Sequence, residues 1–97
     1  MRKCVVTGEE TISKRNNIPL SREGRSLITK ITELHNTKIS DSFVERALEG
    51  KEDSQVLDEN FLRSMAPKIS DTQTLRLILK QEPDIINTRN EVLNSEV

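Results

Sequence analysis

The sequence predicts an α+β domain, mostly α: an N-terminal β-hairpin packed on a long helix, followed by three or four short helices. Three observations predict it. Val5, Val6 and Ile12 are β-branched and flank Gly8, whose free φ suits a tight turn. From Ser21 onward the apolar residues recur at helical spacing. Further along, three short segments each begin with an apolar residue, a capping residue and an acid.

The elements follow in chain order. Lys3–Val6 and Glu10–Ser13 are expected as two short strands around Thr7-Gly8-Glu9. Lys14 to Asn17 reads as a polar connector, and Ile18-Pro19-Leu20 returns in extended form because proline restricts the residue before it. A hairpin this small must lie on a helix. Ser21 supplies the N-cap, with Glu23 in the first turn, and Gly24, Leu27, Ile28, Ile31, Leu34 and His35 share one face. Asn36-Thr37 is expected to end this helix.

A second helix is expected from the Ser40 cap to Glu49, with Ile39 stapling onto Val44 and Gly50 as the stop. Gly50 to Gln55 reads as a loop. A third runs from the Asp58 cap to Ala66, with Leu57 facing Leu62 and Pro67 just beyond. Ser70 and Gln73 form a capping box for a fourth, whose face is Leu75, Ile78 and Leu79. Lys38-Ile39-Ser40-Asp41-Ser42 and Lys68-Ile69-Ser70-Asp71-Thr72 resemble each other through cap chemistry rather than duplication. Asp84 to about Asn94 is a weaker fifth helix carrying Ile85, Ile86, Val92 and Leu93, expected to dock, fray or fold on a partner.

All 97 residues are expected in one domain. The aromatics are only Phe43 and Phe61, so aliphatic side chains must supply nearly all of the core. Charge is segregated. Residues 1–38 carry eight basic and four acidic side chains, a basic hairpin-plus-helix platform; residues 39–97 carry seven and twelve, an acidic helical part. One cysteine excludes an internal disulfide, and no apolar run reaches spanning length, so a cytoplasmic protein with no membrane insertion is expected.

The chemistry is defined by what is missing. With Cys at Thr7, Ser21 and Gly24, the segment would read C-x2-C, thirteen residues, C-x2-C. Cys4, Gly8, Pro19, Leu20 and the helix from Ser21 stand where a zinc knuckle, hairpin and second knuckle would place them. This frame resembles the treble-clef and zinc-ribbon families, whose four thiolate or imidazole ligands hold a tetrahedral zinc. The departures at Thr7, Ser21 and Gly24 remove the ligands, so the resemblance implies a metal-less unit held by packing of Cys4, Ile18, Leu20, Leu27 and Ile31. No metal and no cofactor are expected.

Catalysis is not expected either. Nothing in the spacing pairs His35 with Cys4, and a His at a helix end is usually solvated or capping. Glu45, Glu49, Asp58, Glu59 and Asp71 sit where caps and solvent faces use carboxylates, and no Gly-rich phosphate loop exists. Two binding functions remain. Lys14, Arg15, Arg22 and Arg25 cluster near a helix N-terminus and could hold the phosphates of a nucleic acid. No aromatics interleave them for stacking, and the acidic half repels a polyanion. Val44, Leu48, Phe61, Met65, Leu77, Ile86 and Leu93 exceed the needs of a shallow core and suit contact with a protein partner or a second copy. The sequence therefore predicts a non-enzymatic regulatory protein acting by protein–protein binding, with nucleic-acid binding as the alternative. Its texture, short and rich in Lys, Asn, Ser and Thr without enzyme motifs, resembles small accessory proteins of large tailed phages. That resemblance implies modulation of a host enzyme, of transcription or of lysis timing.

Overall fold

The computed structural model of the protein describes residues 1–49 and 58–95. Two minimal antiparallel ladders open the chain: β1 (Arg2–Lys3) with β2 (Glu10–Thr11), and β3 (Lys14–Arg15) with β4 (Ile18–Pro19). Between β1 and β2 the chain makes a knuckle. The Cys4 carbonyl accepts from the Gly8 amide at 2.9 Å, and Gly8 takes φ +77°, which only glycine adopts without strain. The second ladder corrects the expectation of a polar connector at Lys14–Asn17. Asn16 and Asn17 both adopt positive φ, 52° and 64°, the backbone of a two-residue hairpin turn. Asparagine tolerates that region, so the Asn-Asn pair was the signal.

The larger correction concerns α1, which runs unbroken from Arg22 to Leu48. Ser21 caps it as expected, accepting from the Gly24 amide at 3.0 Å. The helix does not stop at Asn36-Thr37, and Ser40 does not cap a new one. No glycine or proline interrupts residues 25–49, and interior Ser or Asp costs only a few tenths of a kcal/mol against a better helix former. Thr37 returns its hydroxyl to the Glu33 carbonyl at 2.9 Å. Asn36, instead of ending the helix, binds both backbone groups of Ile69, accepting at 2.7 Å and donating at 3.0 Å. The 27 residues span about 40 Å.

Three further helices follow. In α2 (Glu59–Met65) the Asp58 side chain caps the Asn60 amide at 3.0 Å, and Ala66 closes it before Pro67. In α3 (Asp71–Leu79) Ser70 and Gln73 make the capping box, with bonds of 3.3 and 3.2 Å. The last, α4 (Pro83–Ser95), begins on a proline, whose missing N–H costs nothing at a first helical position. It docks on α1, its main contact, with Ile85, Thr88 and Val92 buried. The expectations for Gly50, for the loop to Gln55 and for Leu57 lie outside the described residues.

The core is built at the N-terminal half of α1. Cys4, Val6 and Leu20 from the hairpins meet Ile28 and Ile31 of α1, Leu75 and Ile78 of α3, and Ile85 and Val92 of α4. Ile18 and Leu27 pack against it only partly buried. A hydroxyl pair ties α1 to α3 inside it, Thr32 and Thr74 at 2.8 Å. The C-terminal part of α1 leaves this core and is met by α2, where Val44, Leu62 and Ala66 are buried apart from the main cluster. The result is a head and an arm, 60 × 27 × 20 Å overall.

Candidate functional site

Two places on this frame carry the residues singled out in the sequence. The first is the hairpin–helix junction. The Cys4 sulfur lies under the N-terminus of α1, where it accepts from the Ser21 amide at 3.4 Å and from the Ser21 hydroxyl at 3.5 Å. Thr7 adds side-chain and backbone hydrogen bonds. A Cβ on Gly24 would stand 2.6 Å from the same sulfur. Positions 4, 7, 21 and 24 therefore converge on one atom, although only one of them carries a thiol. One thiol, two hydroxyls and a glycine do not form a zinc donor set. Among the described residues no group of three His, Cys, Asp or Glu could hold a metal ion.

The electrostatics of this junction are those of a stabilised thiolate. Burial pushes the Cys4 thiol up, but the hydrogen bonds of Ser21 and Thr7 together outweigh it and bring it down to about 7. Cys4 is nonetheless only 3% exposed, so the sulfur is fixed in the core rather than presented to a substrate. His35 lies far from it, mid-helix and half-buried, with its ring 3.5 Å from the Thr88 hydroxyl. Burial holds His35 below its usual value; Asp84 opposes that and Lys38 adds to it. The expectation of a helix-end histidine is corrected by the continuity of α1.

The four basic candidates are only partly assembled. Arg25 donates to the Lys14 carbonyl at 3.3 Å, which brings those two together. Arg15 leans toward Asp71 at 4.0 Å. Arg22 lines a separate cavity with Glu9, Glu23 and Lys30, where charges of both signs alternate. No uniformly basic surface joins all four.

The second place is the arm. Phe61 and Met65, one turn apart on α2, are 60% and 59% exposed, and Leu48 at the end of α1 is 43% exposed. Val44, one turn before Leu48, is buried and belongs to the arm's interior. Leu77 and Ile86 are half-buried against the main core, and Leu93 is half-buried near Leu27 at the head. Three of the seven apolar candidates thus form an exposed set, and all three lie on the arm. What sequence reading missed is on the head: Ile12 is 83% exposed and, with Met1, Pro19, Arg2 and Lys14, lines a cavity of about 260 Å³. The polar positions around Ile12 hid it inside an expected strand.

No helix among the described residues is long and apolar enough to cross a membrane. Comparison with protein-family models, curated proteins and solved structures finds no match to this chain.

Proposed function

We propose that this is a non-enzymatic regulatory or accessory protein that works by protein–protein contact, with the α1–α2 arm as its binding face. The observation that carries the reading is the exposure of Phe61 and Met65 on a helix of seven residues. A helix so short is not stable by its own hydrogen bonds. It is held on α1 by the burial of Leu62 and Ala66 and by Arg63, which bonds Asp41. A large aromatic and a methionine left in water on such a helix cost solubility and add nothing to the arm, whereas both residue types dominate protein interfaces. A lone cysteine kept as a thiol suits a reducing, cytoplasmic setting.

The convergence of positions 4, 7, 21 and 24 supports a related reading of the head, as a zinc-ribbon-like frame in which hydrogen bonds to one sulfur replace the metal. The nucleic-acid alternative draws less support, because Arg22 sits among carboxylates and Arg15 faces one.

A photo-crosslinking residue placed at Phe61 tests the proposal in native extract. Discrete polypeptide adducts that disappear with Met65→Glu are expected. Adducts no stronger than those from a crosslinker at exposed Glu33 would overturn it.

A further inference from the structure

We infer that the occupant of the arm is the head of a second copy of this chain, the Ile12 cavity receiving the Phe61–Met65 face. The inference rests on the reading of the arm as a binding face and names what binds it.

The two surfaces are complementary in chemistry and lie at opposite ends of one molecule. Ser21 and Arg25 join the hairpins to the start of α1, while Arg63 of α2 bonds Asp41, so roughly 30 Å of helix separates the two. On the head, the cavity beside Ile12 has apolar walls in Met1 and Pro19, and its charged residues, Arg2 and Lys14, are both cationic. On the arm, Arg63 is occupied by Asp41 and Glu59. Glu45 and Glu49 continue the stripe of α1 that begins at Asp41, the residue bonded to α2, and Asp58 caps α2; against Arg46 they make the charges of the arm net acidic.

An arm-to-arm pairing would set net acidic charge against net acidic charge. A head-to-arm pairing sets cations against carboxylates around an apolar centre, which favours encounter and register together. Since every copy owns one head and one arm, two copies lying antiparallel make the contact twice under a two-fold axis. Stable interfaces bury roughly 1,200–2,000 Å² in total, so each of two equivalent contacts needs only about half of that. The length of 60 Å against widths of 27 and 20 Å gives such a pair room to lie side by side.

Light scattering and sedimentation on the full chain test this with two charge reversals, Arg2→Glu with Lys14→Glu on the head and Glu45→Lys with Glu49→Lys on the arm. Wild type is expected to self-associate at low salt and to dissociate as salt rises. Each reversed protein alone should be monomeric. Their equimolar mixture should associate again, with an affinity at least about tenfold above either alone, because head and arm signs are then opposite in both contacts. Circular dichroism melting confirms that each variant is folded; where a reversal does not fold, Arg2→Gln with Lys14→Gln and Glu45→Gln with Glu49→Gln replace it, with weakened association expected from each. Monomeric wild type at low salt overturns the inference. So does undiminished association of the head-reversed or head-neutralised protein, which would indicate arm-to-arm pairing. A monomer that still forms discrete adducts with other polypeptides from position 61 would overturn this inference alone and leave the binding role of the arm standing.

Discussion

At the scale of single residues, the junction around Cys4 explains why Gly24 stands on the first turn of a helix, where glycine is a poor choice. Alanine there gains up to about 1 kcal/mol of helix propensity. Its Cβ, however, would meet Cys4 Sγ at 2.6 Å and Leu20 Cδ1 at 3.0 Å. Crowding of this kind costs about 1–3 kcal/mol, so Gly24→Ala is expected to lower stability in urea unfolding. Cys4→Ala with Gly24→Ala should lose less than the sum of the two single changes, since each variant makes room for the other. Additive losses would show that the sulfur is not what Gly24 accommodates.

The same sulfur sets a pH dependence. The folded-state value of Cys4, about 7, lies below the reference of 9.0, so the folded protein holds the thiolate more firmly than the unfolded chain does. This contribution is fully present above the unfolded value and is lost as pH falls through the folded one. Relative to Cys4→Ser, the wild-type melting temperature should therefore fall between about pH 9 and pH 7, by the equivalent of roughly 2–3 kcal/mol. A constant difference across that window would contradict the hydrogen bonds drawn to the sulfur.

At the scale of elements, two nearly identical five-residue stretches fold differently. Lys68-Ile69-Ser70-Asp71-Thr72 follows Pro67 and starts α3, whereas Lys38-Ile39-Ser40-Asp41-Ser42 lies inside α1. The cap chemistry was legible at both sites and decisive at one. Nothing ends the helix before Ser40, and Asn36, the expected terminator, is drawn to the Ile69 backbone by a contact between residues distant in sequence. Proline distinguishes the two. Asp71 is the first residue of α3, its cap Ser70 is already extended at ψ 164°, and Asp71→Pro should be nearly neutral. Asp41→Pro should cost about 3 kcal/mol or more beyond Asp41→Ala, which accounts for the lost Arg63 ion pair. Equal tolerance at both sites would restore a two-helix reading of residues 22–48.

The head offers its own test as an element. If its frame is that of a zinc ribbon without ligands, then Thr7→Cys with Ser21→Cys and Gly24→Cys, joined to native Cys4, should bind one zinc per chain, the Cys4 side chain turning away from the new Cβ at position 24 to reach the metal. The metal should raise the stability of that variant but not of wild type. Failure of the triple variant to take up zinc would separate the frame from that family. The order of hairpin and helices, the caps of α1, α2 and α3, and the face of α4 were readable from spacing, whereas the expected strands Lys3–Val6 and Glu10–Ser13 are in the structure only Arg2–Lys3 and Glu10–Thr11, with Val5 and Val6 in the knuckle. The Asn16-Asn17 turn lacks the glycine of the commonest two-residue hairpins, so the pair reads equally as a polar connector.

At the scale of the whole molecule, the departure from compactness is the informative property. A chain of 97 residues is expected to have a radius of gyration of about 12–13 Å, and this one has 16.6 Å. The excess comes from α1 continuing past the main core to carry the arm. Of the seven apolar residues expected at a contact surface, Leu48, Phe61 and Met65 are exposed and Val44 is buried; spacing could not sort them, because Val44 and Leu48 share a helical face and only tertiary packing decides which is covered. The exposed Ile12 had no signal of its own: it falls just past β2, which ends at Thr11, in a hairpin too small to bury it.

On the proposed function, Phe61 and Met65 serve contact rather than folding. Replacing both with serine and measuring urea unfolding beside association, as light-scattering mass and crosslinking from Leu48, tests it most directly. A stability change within about 1 kcal/mol is expected, as for surface positions, together with loss of association and adducts. A loss of several kcal/mol, or association that survives the double change, would contradict it.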